Sequence, residues 1–110
     1  MNNPINQIDI EKGTISFWIK ENQITFDDNK LYPLININNP KGAIFILKDT
    51  DKKIKFFYVY LGKGRTDIEW DCSNLNPNEK HMIATTWSQE SEEINLYVDG
   101  ELVETTKIKY

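Results

Sequence analysis

Clusters of Asn, Asp, Gly and Pro interrupt this chain at short, regular intervals, and β-branched and aromatic residues fill the stretches between them. Asp27-Asp28-Asn29, Asn38-Asn39-Pro40, Asp49-Thr50-Asp51 and the run from Asn74 to Asn78 are the clearest examples. Such side chains bond to nearby backbone and tolerate left-handed conformations, so turn chemistry at this spacing predicts short antiparallel strands. Strands are expected at Thr14–Lys20, Leu34–Asn38, Ala43–Lys48, Lys53–Leu61, Thr66–Asp71, His81–Trp87, Ile94–Val98 and Leu102–Ile108. No stretch places apolar residues at helical spacing between caps, and Asn74–Lys80, around Asn76-Pro77, offers one helical turn at most. No repeat, low-complexity tract or linker divides the chain. The expectation is an all-β, two-sheet antiparallel sandwich occupying residues 1–110 as a single domain.

Alternation refines this. In Thr14–Lys20, Ile15, Phe17 and Ile19 share one face, while Thr14, Ser16, Trp18 and Lys20 share the other. In Lys53–Leu61 both faces are apolar: Ile54, Phe56, Tyr58 and Tyr60 on one, Phe57, Val59 and Leu61 on the other. A strand of this kind belongs in the middle of a sheet with something covering each side. Asp99-Gly100 separates two strand-like runs and supplies the two positive-φ residues of a type I′ hairpin.

At 110 residues, the chain buries roughly two-thirds of its surface on folding, enough for a core without disulfides or metal. Thirteen Lys and Arg against seventeen Asp and Glu give a net charge of −4, which repels phosphate and argues against nucleic acid and anionic membrane surfaces as partners. Cys72 is the sole cysteine, so no intrachain disulfide and no Cys-x-x-Cys pair exist. Met1-Asn2-Asn3-Pro4 lacks the basic and apolar regions of a secretory signal. No apolar run reaches the roughly 18 residues that span a bilayer. The compartment stays open; a domain of a longer exported protein would lie outside the cell or on its surface.

Three segments carry a family resemblance. Gly13–Trp18 reads GTISFW, His81–Trp87 reads HMIATTW, and Leu96–Gly100 reads LYVDG, in that order along the chain. This pattern resembles the concanavalin A-like lectin/glucanase superfamily in its laminin-G-like branch. The resemblance implies a jelly-roll sandwich and, for function, a non-catalytic carbohydrate-binding module, with ligand on a concave sheet or on the loops near Asn38–Lys41 and Gly62–Arg65. Members of that family usually continue with further strands past this hairpin. The chain therefore reads as a minimal jelly roll, or as one with a strand edge open for a partner protein or a second copy in a homo-oligomer.

Tyr58, Tyr60 and Trp70 are the candidate stacking rings for a glycan, with Glu69 and Asn95 as partners for its hydroxyls. The competing reading makes these rings sandwich core. Asp67, Glu69 and Asp71 alternate along one strand and point to one face, a spacing that suits Ca²⁺ or the two carboxylates of a glycosidase. Related glucanases carry Glu-x-Asp-x-Glu on a strand, whereas the order here is Asp-x-Glu-x-Asp, and the chain is small for a catalytic cleft. Trp18 and Trp87 read as cross-strand packing partners, and His81, the sole histidine, reads as structural. Gly62-Lys63-Gly64 has neither the length nor the following helix of a phosphate loop. Two function classes follow: a carbohydrate-binding module, and an interaction module that pairs through an exposed strand edge.

Overall fold

The structure, a computed structural model, describes residues 8–109; Met1–Pro4 lie outside this range. Eight strands run in chain order: β1 (Lys12–Ile19), β2 (Tyr32–Asn39), β3 (Gly42–Lys48), β4 (Lys53–Tyr60), β5 (Gly64–Asp71), β6 (His81–Ser88), β7 (Glu93–Val98) and β8 (Glu101–Lys107). Each expected strand falls on an observed one, with ends displaced by two residues or fewer. Two four-stranded antiparallel sheets result, ordered β1-β6-β7-β8 and β2-β3-β4-β5. The chain leaves the first sheet after β1, builds the second as a meander, and returns at β6 to pair with β1, giving a jelly-roll sandwich. Asp99 and Gly100 both have positive φ, 52° and 87°, as the hairpin requires. Asn74–Lys80 holds turns, with Leu75 N donating to Cys72 O and Glu79 N to Asn76 O, and forms no helix.

Ile44, Ile46, Ile54 and Phe56 from one sheet meet Ile83, Ile94 and Leu96 from the other in the buried core. Each such side chain contributes about 1.5–3 kcal/mol when withdrawn from water. Trp87 lies across from Gly13 in the β1–β6 register. A Cβ at Gly13 would sit 2.5 Å from the indole, so glycine is required for the ring to lie flat against β1. Trp18 is not its packing partner: the register sets Trp18 opposite Met82, and alternation turns the ring outward, leaving it 56% exposed. Lys80 Nζ lies 5.1 Å from its centroid.

The outer face of β4 also departs from expectation. Phe57 and Val59 on it are only half-buried, and Arg65, from the neighbouring strand, lies over the Phe57 ring. One lateral side of the sandwich is closed, where Lys109 N donates to Thr66 Oγ1 at 3.3 Å. On the other, β1 and β2 flank an apolar groove of about 390 Å³ lined by Ile8, Ile15, Phe17, Ile35 and Ile37.

The loop between β1 and β2 is organised by a buried cation. Lys48 ends β3 on its inner face with a side chain 0% exposed. Its Nζ donates to Asp28 Oδ1 at 2.5 Å and to the carbonyls of Asp28 and Lys30 at 2.9 and 2.8 Å. Tyr32 OH donates to Asp28 Oδ2, and its ring lies 5.2 Å from the ammonium. The bond from Lys48 pulls the Asp28 carboxyl down to about 2 against the opposing effect of burial, aided by Lys30 N–H and Tyr32. Lys48→Met keeps the volume but strands three oxygen acceptors, and should cost about 3 kcal/mol in urea denaturation with an unchanged m-value.

Candidate ligand-binding site

The five predicted ligand residues separate onto three surfaces. Tyr58 is 0% exposed: its ring stacks on Trp87 with centroids 6.5 Å apart, its OH donates to Ile10 O at 2.5 Å, and Gln89 Nε2 donates to it at 2.9 Å. No sugar reaches it. Tyr60, next along the same inner face, is half-buried, and its OH bonds to the Glu11 carboxylate. Glu69 lies on the outer face of β5, opposite Lys55 in the register, and pairs with Lys53 at 3.4 Å. Asn95 lies on the outer face of the other sheet in a trough of about 290 Å³, with Lys12, Thr14, Thr86, Ser91 and Glu93. There its Nδ2 donates to Thr86 Oγ1 at 3.0 Å.

Trp70 alone among the three rings is partly exposed within a cleft. It ends the inner face of β5 and lines a cavity of about 290 Å³ with Leu75, Val98, Val103, Asp99 and Glu101. Leu75, Val98 and Val103 give the cleft an apolar wall, and the β7–β8 hairpin brings two carboxylates to its rim. Sequence reasoning missed Asp99 and Glu101 as site residues. Asp99-Gly100 was legible as a turn, but the approach of this hairpin to the end of β5 is a contact between sheets that no local pattern encodes.

The two rim carboxylates differ. Asp99 Oδ1 accepts from Met82 N at 2.9 Å, and Oδ2 lies 2.8 Å from His81 Nδ1. The other His81 nitrogen, Nε2, lies 2.8 Å from Asn76 O, and Phe26 meets the ring edge-on at 5.5 Å. A carboxylate and a carbonyl both need a donor, so the imidazolium, with N–H on each nitrogen, satisfies both. Burial of the ring pulls its pKa down. The bonds to Asp99 and Asn76 and the charges of Asp99 and Glu79 outweigh this, and the pKa lies above the ordinary 6.5. Asp99, although itself exposed, is thereby engaged by the fold, and Glu101 is the second exposed carboxylate of the cleft.

Asp67, Glu69 and Asp71 share the outer face of β5 as expected, but they do not converge. Arg65 Nε lies 2.8 Å from Asp67, Lys53 pairs with Glu69, and Asp71 accepts from Ser73 N and Oγ at 2.9 and 2.7 Å, which lowers its pKa. Among the described residues, no group of three or more His, Cys, Asp or Glu is placed to hold a metal ion, and no helix is long and apolar enough to cross a membrane. Cys72 is buried, and burial pushes its thiol up to about 11.

Residues 2–110 match the sequence profile of the laminin-G-like family described as "Concanavalin A-like lectin/glucanases superfamily". The chain belongs to this superfamily. Among solved structures, it is similar to domains LG4-5 of the mouse laminin alpha1 chain, with a TM-score of 0.65 and 17% identity over 94% of this chain and 26% of that one. It is also similar to the binding domain of botulinum neurotoxin serotype D, with a TM-score of 0.70 and 20% identity over 97% of this chain and 26% of that one. The chain thus spans about a quarter of either structure. A search of curated proteins finds no match.

Two measurements check this geometry. Tyr58→Phe leaves the buried Ile10 carbonyl without its donor and should lower stability by about 1–3 kcal/mol while leaving the outer surfaces unchanged. The His81 pKa is raised on folding, so its stabilising contribution is complete below the unfolded value and is lost as pH rises through the folded one. The melting temperature should therefore fall as pH is raised from about 6 through that value, and His81→Gln should remove this part of the slope.

Proposed function

We propose that this domain is a non-catalytic carbohydrate-binding module and that the Trp70 cleft is where the ligand binds. The observation that carries this reading is a half-exposed indole facing an apolar wall with a carboxylate, Glu101, at its rim. A pyranose ring presents C–H groups on one face and hydroxyls on its edge. The indole suits the first and a carboxylate acceptor suits the second. Asp99, bound through both oxygens to Met82 and His81, sets the position of the hairpin that presents Glu101.

The non-catalytic part of the reading rests on the carboxylates. Glycoside hydrolysis needs two of them facing one bond, one as acid and the other as base or nucleophile. Of the rim pair, Asp99 is consumed by backbone and imidazole, and the β5 carboxylates lie on a different face. The share of each similar structure that the chain covers supports a role as one module of a larger protein. A second reading, docking of a polypeptide along the β1 edge, is favoured by the apolar groove between β1 and β2.

A glycan array on the purified domain, with and without Ca²⁺, tests the proposal. Binding should be independent of Ca²⁺, survive in weakened form in Trp70→Phe, and fall at least roughly tenfold in Trp70→Ala and Glu101→Gln. Binding lost in Asn95→Ala but kept in Trp70→Ala would move the ligand to the trough and overturn the assignment. Silence across the array at high protein concentration would favour the docking reading.

A further inference from the structure

The outer face of the β2-β3-β4-β5 sheet is ordered in rows by its register. One row reads Asn36, Phe45, Phe57, Asp67 across the four strands, and the next reads Asn38, Ala43, Val59, Arg65. A third, on the other side of the first, begins Pro33, Leu47, Lys55 and ends at Glu69. The face therefore has an apolar ridge along β3 and β4, neutral amides on the β2 margin, and a charged margin on β5. Arg65 lies 4.9 Å from the Phe57 centroid and pairs with Asp67. Including the β3–β4 turn, this side carries Asp49, Asp51, Asp67, Glu69 and Asp71 against Lys52, Lys53, Lys55 and Arg65, a near balance, with Lys55 paired to both Asp49 and Asp51. A strand apolar on both sides, as β4 is, implies cover on both, and on the outer side Phe57 and Val59 stay half-buried.

We propose that this face is the contact surface of a symmetric homodimer. The argument is one of self-complementarity. A two-fold axis lying between the faces and parallel to the strands sets β5 of each copy over β2 of the other, and each row then meets itself in reverse order. Phe45 faces Phe57 of the second copy, and Asn36 presents its amide to Asp67 of the second copy. Val59 meets Ala43, and Arg65 meets Asn38. No carboxylate faces a carboxylate. Sheets packed face to face stack about 10 Å apart with strands nearly aligned, and an isologous contact of this kind closes at two copies. The alternative axis, perpendicular to the strands, sets β2 over β2 and so takes the Asn36 amide away from Asp67; run along the Asp67 row, it sets that carboxylate over its own equivalent. The Trp70 cleft opens elsewhere on each copy, so the dimer does not depend on the carbohydrate reading.

Sedimentation velocity on the folded domain from about 1 to 200 µM tests this. A concentration-dependent dimer is expected, and Phe57→Glu should abolish it. Asn36 is exposed, so its substitution leaves the fold intact. Asn36→Asp sets like charges across the interface and should weaken the dimer roughly tenfold, whereas Asn36→Lys should tighten it. A monomer at every concentration would overturn the proposal. So would a dimer that ignores the Asn36 variants, because association through the β1 edge leaves this face untouched.

Discussion

The segment leading into β1 joins the two sheets, and much of the molecule depends on how its backbone carbonyls are satisfied. Trp87 from the first sheet donates its Nε1 to Asp9 O at 2.8 Å, and Tyr58 from the second donates its hydroxyl to Ile10 O. Gln89 N donates to Glu11 O at 2.8 Å. Three consecutive carbonyls are thus bonded from residues of both sheets. The two donating rings stack on one another, and Phe56 packs against the indole with centroids 6.4 Å apart. Buried carbonyls without donors are costly, so these bonds fix the sheet separation as well as decorate it. Gly13 supplies the clearance on the first sheet. Gly42 supplies it on the second, where a Cβ would meet Val59 O at 2.0 Å and Ile10 at 3.1 Å.

Strand count, strand order along the chain and the Asp99-Gly100 hairpin were all legible, because turn chemistry and period-two alternation are local properties. Alternation also sorted Ile15, Phe17 and Ile19 from Trp18, and this agrees with the outward position of Trp18 better than the pairing with Trp87 inferred from the family motif. What alternation leaves open is which face of a two-sided strand points inward. In β4 the polar hydroxyls of Tyr58 and Tyr60 suggested a wet surface, yet both lie on the inner face, because their OH groups reach Ile10 and Glu11. The same parity sets Glu69 on the outer face, opposite in direction to Trp70.

The cleft around Trp70 was half legible. The ring could be named from sequence, but its neighbours could not, since Leu75 comes from an irregular turn and Val98, Asp99, Glu101 and Val103 come from a hairpin of the other sheet. Their meeting depends on where β5 ends relative to the β7–β8 hairpin, a distance set by the whole sandwich. Lys48 was similarly hidden. It follows Ile44 and Ile46 on the inner side of β3, so alternation points it inward, but only the fold shows that Asp28 and two carbonyls wait there.

That lysine gives the domain a property of its own. An ammonium ringed by a carboxylate oxygen and two main-chain carbonyls occupies a niche of the kind that hard cations favour, and it is covalently part of the chain. The loop from 21 to 31 therefore carries its own counter-ion. Chelators cannot strip it, and fluctuations in ambient divalent ions leave it unchanged. The anchoring of this loop at Asp28 and Lys30 thus needs no metal ion.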